Sequence, residues 1–409
     1  MDLASVDLID PDIYVEGVPH ETFAFLRREA PVFWHDDPDG PGFWAVTKHS
    51  DLVAVNRDTS LYSSFLRSSL FNEFPDELLG QQRMMLVNMD PPLHTRYRRL
   101  VNKGFTPRMV AELQDKVVER TRRIMRAAAE KGEFDFVTDV AAELPLQVIA
   151  ELMGVPEDDR YKVFDWSNRM IGSGDPEYAI TPEDATAASL ELFAYADELT
   201  ARRLADPHED LVSILAHAEI EGDRLSQLDI DLFFLLLTVA GNETTRNLIS
   251  HGTLMLIENP DERRRLLEDP GLLDTAVEEM LRCASPVMHF RRTATRDTVL
   301  HGQAIAEGDK VVIWHISANR DDDVFSDPMR FDVGRSPNDH VAFGGGGAHF
   351  CLGASLARME IRVMFTELLR AMPDLELTGP VSRLRSNFIN GVKHLPVTTS
   401  GHLGPLEGP

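Results

Sequence analysis

A chain of 409 residues, 43% of them hydrophobic, can bury a large core, and its glycine and proline are too dispersed for a fibrous or disordered protein. The 41 Lys and Arg against 67 Asp and Glu give a net charge of -26, which argues against binding nucleic acid or an anionic membrane over a broad face. Two cysteines argue against a disulfide scaffold and fit a reducing compartment.

The opening residues, Met1-Asp2-Leu3-Ala4-Ser5-Val6-Asp7-Leu8-Ile9-Asp10, lack the basic start and apolar run of a signal peptide. The most apolar stretch, 232–240, falls well short of the ~20 residues that cross a bilayer. A cytoplasmic, monomeric protein without a membrane anchor is expected. A helix over 20–30 precedes strands over 32–35 and 43–46, paired around the turn 37–42, so strand content falls early in the chain. From 60 to 90 the pattern is irregular, and a loop of that length is usually functional or mobile. Phe65, Leu66, Leu70, Phe71, Phe74, Met84, Met85 and Leu86 either line an apolar cavity or pack this loop down; the sequence leaves both open.

Helical patterns follow over 93–103, 107–130, 141–153, 158–171 and 182–205, punctuated by Pro91-Pro92, Pro107, Gly154 and Gly172-Ser173-Gly174. Residues 225–257 read as one helix, on the order of 50 Å long at about 1.5 Å per residue. It is apolar almost all round between Leu232 and Ala240, which places it in the middle of the fold. Two more helices after Pro260 end near Ser285. Short strands over 297–305 and 310–313, an irregular segment to Ala342 and a helix from Ala354 complete the chain. The reading is a single mainly α domain over 1–409, a helix-rich lobe with a small β lobe.

Four groups of residues carry chemistry. In Phe343-Gly344-Gly345-Gly346-Gly347-Ala348-His349-Phe350-Cys351-Leu352-Gly353, four glycines let backbone approach a flat cofactor. Cys351 then sits at a helix mouth, which favours thiolate, a strong axial donor to haem iron. The plainer reading is a flexible loop with a core cysteine. In Ala240-Gly241-Asn242-Glu243-Thr244-Thr245, glycine in a helix interior costs about 1 kcal/mol against alanine and needs a reason. The Thr244 hydroxyl reaches back to the carbonyl of Ala240, opening a groove, with an acid beside it as a proton path. Glu279 and Arg282 are three apart on one helix face, with Arg330 as the candidate third partner. His94 and Arg98 are four apart on another helix, and with Arg292 and His349 they suit a dianionic cofactor edge. Read singly, each of these is an ordinary helix or surface residue.

In order and over nearly the whole chain, the stretches Ala240–Thr245, Glu279–Arg282, Ala318–Asp321, Pro328–Phe331 and Phe343–Gly353 resemble the cytochrome P-450 superfamily of haem-thiolate monooxygenases. The resemblance implies that fold, with the long helix over the haem, and haem b held through axial Cys351. It implies that Glu243 and Thr244 supply protons for dioxygen activation and that Glu279, Arg282 and Arg330 form a structural triad. His94, Arg98, Arg292 and His349 match propionate-binding positions, while Ala240, Gly241, Phe343, Gly344 and Gly353 border the cofactor. One departure is that Gly344 occupies the place usual for the loop's aromatic, with Phe343 one residue further back. The loop thus carries an extra glycine, which puts the role of Phe343 in doubt.

The implied reaction hydroxylates an unactivated C–H bond of a hydrophobic molecule with O2 and two electrons from separate proteins, a ferredoxin and its reductase. A basic face at Arg96, Arg98, Arg99 and Lys103 would meet the ferredoxin, although a plain solvated face explains Arg96 and Arg99 as well. Phe65, Leu86, Leu236, Val239, Val287, Met288 and Phe290 are the expected pocket residues. The glycine-extended loop and the stretch 386–396 are similar to actinobacterial members that hydroxylate sterol side chains and methyl-branched lipids; related sequences oxidise terpenoids. A haem-thiolate sensor without turnover and a haem-free helical scaffold are the readings from other classes.

Overall fold

The computed structural model describes residues 1–400 except Ser173, Ala179, Ile180 and Glu221. By packing, the chain forms two compact units. Met1–Tyr97, Glu278–Cys351 and Arg385–Asn390 make the first; Arg98–Val277, Leu352–Leu384 and the chain from Gly391 make the second. Among the described residues, no helix is long and apolar enough to cross a membrane.

The first unit is built on a five-stranded sheet in the order Val32–His35, Phe43–Val46, Lys310–Trp314, His289–Ala294, Tyr62–Ser63. The early strands therefore pair with late ones rather than only with each other. Val311, Val312 and Ile313 lie parallel against Trp44, Ala45 and Val46, while Lys310–Trp314 runs antiparallel to His289–Thr293. Side chains alternate across a strand, so Val311 and Ile313 join Leu52, Val55 and Ala294 on one face. Val312 and Trp314 join Phe23, Phe43 and Met288 on the other. A strand covered on both faces reads as a continuous apolar run, which is why Lys310–Trp314 is legible in the sequence. His289–Ala294 is not, because His289, Arg291 and Arg292 interrupt it although all three are buried.

The expected strand region 297–305 is a hairpin, Thr298–Leu300 against Gln303–Ile305, turning through His301 and Gly302 at positive φ. The irregular stretch 60–90 contains a short helix, Asp76–Gln82. The loop is tied down by Asn88, whose Oδ1 accepts from the Ser69 N–H at 2.8 Å and whose Nδ2 donates to the Gln82 carbonyl at 2.9 Å. Phe71 packs inward, its ring 5.2 Å from Phe43 and 3.7 Å from Lys310 Nζ. For that residue packing, not cavity lining, is the outcome.

The second unit is mainly helical. The long helix, Gln227–Glu258, starts at a capping box in which Ser226 and Asp229 satisfy each other's backbone N–H groups. It packs on Glu143–Met153 and Pro182–Ala205. A Cβ on Gly241 would stand 2.5 Å from Cδ1 of the buried Ile149, so this glycine is needed for helix contact. The helix Ala354–Ala371 lies against Pro107–Ala129. Short strands with no sequence signature complete the unit: Glu376–Leu377, Pro396–Thr398 and Glu133–Asp135 form one sheet.

Candidate active site

The glycine run is shaped by its backbone. Gly344, Gly345, Gly346 and Gly347 have φ of 101°, 64°, 94° and 83°, a region that L side chains rarely adopt. A Cβ on Gly347 would stand 2.7 Å from the carbonyl oxygen of Asn56, and one on Gly345 3.2 Å from Val53. The close approach that glycine permits here is to the helix His49–Arg57, which the sequence does not suggest. The loop closes where the Cys351 N–H donates to the Phe343 carbonyl at 3.0 Å, so Phe343 serves the cysteine through its backbone. Cys351 is exposed and two residues before Gly353, the N-cap of Ala354–Ala371.

Behind this loop, Glu279 and Arg282 are both fully buried and paired through two 2.8 Å contacts. The second guanidinium on Glu279 is Arg335, whose Nε donates to both carboxylate oxygens at 3.0 Å. Arg330, the expected third partner, has an exposed residue position and contributes its carbonyl, which accepts from Arg282 and Arg335 at 3.1 Å each. The turn from Asp327 to Arg330, closed by a 3.1 Å backbone bond, presents that carbonyl. Burial pulls the Glu279 carboxyl up, but Arg282, Arg335 and the Asp332 N–H outweigh it and hold it below the usual range.

A cationic set lies in the same unit. The His94 and His349 rings are 4.4 Å apart, and Ser64 Oγ lies 3.4 Å from His349 Nε2. Arg292 is buried; Nη2 donates to Asn56 Oδ1 at 2.8 Å and Nη1 to the Arg291 carbonyl at 2.7 Å, while among the described residues Nε has no partner. Burial pulls its pKa down to about 10, against the attraction of Asp90. A buried guanidinium with an orphaned N–H and a pair of neighbouring histidines suit an anionic cofactor edge, and an exposed thiol suits a metal. These residues fit a haem. Asn56 was missed in the sequence; it bonds Arg292 and also donates to the Gly344 carbonyl, joining the two halves of this arrangement. Arg98, one helical turn beyond His94, is half-buried and belongs to the second unit.

On the long helix, Thr244 Oγ1 donates to the Ala240 carbonyl at 2.6 Å, as its spacing requires. Glu243 is buried and ion-paired to Arg246, which also donates to Asn168 Oδ1 at 3.1 Å. Burial pushes the Glu243 carboxyl up while Arg246 opposes it, and among the described residues Oε1 has no partner. Arg246, three residues on, is the i+3 partner that the sequence reading did not weigh. Where this helix is otherwise buried, Leu236, Val239, Ala240, Gly241 and Thr244 remain partly accessible. They form an apolar stripe ending at a hydroxyl.

Of the other expected pocket residues, Phe65, Leu86, Val287 and Phe290 are half-buried. Val287 bridges to Ile389, and Phe290 meets Phe388 edge-on at 5.8 Å. Met288 is a correction: it is fully buried in the core with Trp314 and Phe23, because strand alternation turns it away from Val287.

The cytochrome P450 family pattern matches residues 191–373. The chain is 44% identical to the steroid C26-monooxygenase of Rhodococcus jostii, covering 97% of this chain and 85% of that one. It is 43% identical to the methyl-branched lipid omega-hydroxylase of Mycobacterium tuberculosis, covering 97% and 95%. Among solved structures, a Mycobacterium marinum cytochrome P450 in complex with pseudoionone superposes with a TM-score of 0.90 at 40% identity, covering 96% and 98%. The chain therefore belongs to the cytochrome P450 family, and it is a haem-thiolate monooxygenase that hydroxylates a hydrophobic substrate.

Proposed function

We propose that the enzyme hydroxylates the terminal carbon of a sterol side chain or of a methyl-branched lipid. The observation that carries this is the near-equal identity, 44% and 43% over 97% of the chain, to relatives with those two activities. The stripe Leu236, Val239 and Ala240 supports it, since it presents only hydrocarbon ahead of Thr244.

When bound, the haem supplies activation of O2 and insertion of one oxygen atom into a C–H bond. Cys351 would hold its iron as thiolate, and His94, Arg292 and His349 would hold its propionates. Glu243, its carboxyl raised by burial against the opposing Arg246, takes up and passes on protons, and Thr244 Oγ1 hands them on from a position fixed by Ala240. Arg246 sets how readily Glu243 gives its proton up. Leu236 and Val239, on the same helix as Thr244, exclude water and orient the substrate. Electrons come from a ferredoxin and its reductase, met by the exposed Arg99 and Lys103. The relative bound to pseudoionone favours a second reading, a compact isoprenoid-like substrate.

The test is a titration of the holoenzyme with sterols, methyl-branched fatty acids and terpenoids, followed by the haem absorption band, then turnover with a surrogate ferredoxin system. Terminal alcohols of a sterol or branched lipid are expected. Turnover confined to terpenoids would overturn the reading.

A further inference from the structure

The first unit holds a cleft of about 390 Å³ lined by Leu66, Arg67, Asp76, Leu79, Arg83 and Thr293, none of them part of the haem-binding or proton-delivery set. Its walls divide by chemistry. Leu66 and Leu79 supply hydrocarbon, and Leu66 is 39% exposed. Arg67 and Arg83 supply two cations against the single carboxylate of Asp76. Thr293, 2% exposed, has a buried hydroxyl with no hydrogen-bond partner among the described residues.

The two arginines differ in how they are held. Nε of Arg83 donates to the Phe65 carbonyl at 2.9 Å and Nη2 to the Leu66 carbonyl at 2.8 Å. Its guanidinium also lies 5.0 Å from the centre of the Phe65 ring. This fork is fixed before any ligand arrives, with Nη1 uncommitted among the described residues. Arg67 meets Asp76 at 3.3 Å, and the two side chains are 49% and 88% exposed. An exposed pair of that kind is weak, and an incoming carboxylate displaces it while gaining a second guanidinium.

We propose that this cleft binds the carboxylate head of an aliphatic amphiphile, with the head between Arg67 and Arg83 and the first carbons along Leu66 and Leu79. The proposal goes beyond the hydroxylation reading, since it concerns where an acid head is held and not which carbon is oxidised.

The probes are dodecanoate and dodecanol, titrated by calorimetry into holoenzyme whose iron is blocked with a saturating azole. Dodecanoate is expected to bind, and more weakly as salt rises. Arg67→Gln should weaken it by about fivefold and Asp76→Asn should tighten it by about twofold, the scale of an exposed ion pair. Dodecanol should respond to neither variant. Equal dodecanoate affinity across the three proteins, or parallel changes for dodecanol, would overturn the site while leaving the hydroxylase reading intact.

Discussion

At the scale of single residues, Glu279 shows how far a short motif reaches. Its pairing with Arg282 is local, three residues apart, and legible in the sequence; its pairing with Arg335 closes a loop of more than fifty residues and is not. Arg335→Ala leaves a buried carboxylate short of a partner and should cost ~3 kcal/mol, whereas Arg330→Ala, at an exposed position, should cost less than ~0.5 kcal/mol. Urea unfolding of the two variants measures the difference, and equal losses would restore Arg330 to the triad. Because the folded Glu279 carboxyl is held below its ordinary range, its contribution is present above about pH 4.3 and is lost as pH falls through the folded value. Glu279→Gln should therefore flatten the acid limb of the stability profile. Thr244 was legible because a hydroxyl in a helix has one nearby acceptor, the carbonyl of Ala240 four residues back. Thr244→Ala should lower product formation by about tenfold or more while oxygen consumption continues and peroxide accumulates. Unchanged coupling of oxygen to product would remove Thr244 from proton delivery.

Among elements, helices with clean periodicity and proline or glycine punctuation were legible almost to the residue, as with Pro182–Ala205. Short strands such as Glu376–Leu377, Val392–His394 and Pro396–Thr398 were not, since they carry no period of their own and form only because a partner strand is present. One of them bears a charge cluster. On Val392–His394, the His394 ring lies 2.5 Å from both Asp135 and Glu177, and Lys393 lies 3.0 Å from Asp175 and 2.7 Å from Glu177. The cluster ties that strand to Asp135 at the end of Glu133–Asp135 and to the segment after the helix Arg160–Ile171. The bond to Asp135 raises the His394 pKa; burial opposes the rise and Glu177 adds to it. A raised histidine stabilises the fold fully below its unfolded pKa of about 6.5, and the effect fades as pH climbs through the folded value. Amide exchange in Asp175–Tyr178 should accordingly lose protection, beyond the intrinsic rate change, as pH rises above about 6.5. In His394→Asn that pH dependence should vanish; its persistence would assign the effect to another group.

For the molecule as a whole, the two units interleave along the chain, so neither is a contiguous stretch. Ending the chain at Val277 removes Lys310–Trp314, the strand that joins Phe43–Val46 to His289–Ala294. A 1–277 fragment should therefore lack a cooperative thermal transition in calorimetry; a sharp one would show that the early strands need no late partner. The charge of -26 was legible from composition, but the placement of buried Arg282, Arg291, Arg292 and Lys310 was not, since burial of a cation is decided by distant partners. The parallel pairing of Val311–Ile313 with Trp44–Val46 has a consequence during synthesis on the ribosome. At roughly 5–20 residues per second, Phe43–Val46 emerges on the order of tens of seconds before the neighbour that will cover its edge. Through that interval the nascent chain carries an apolar β edge with no mate, and holdase chaperones have reason to attend it.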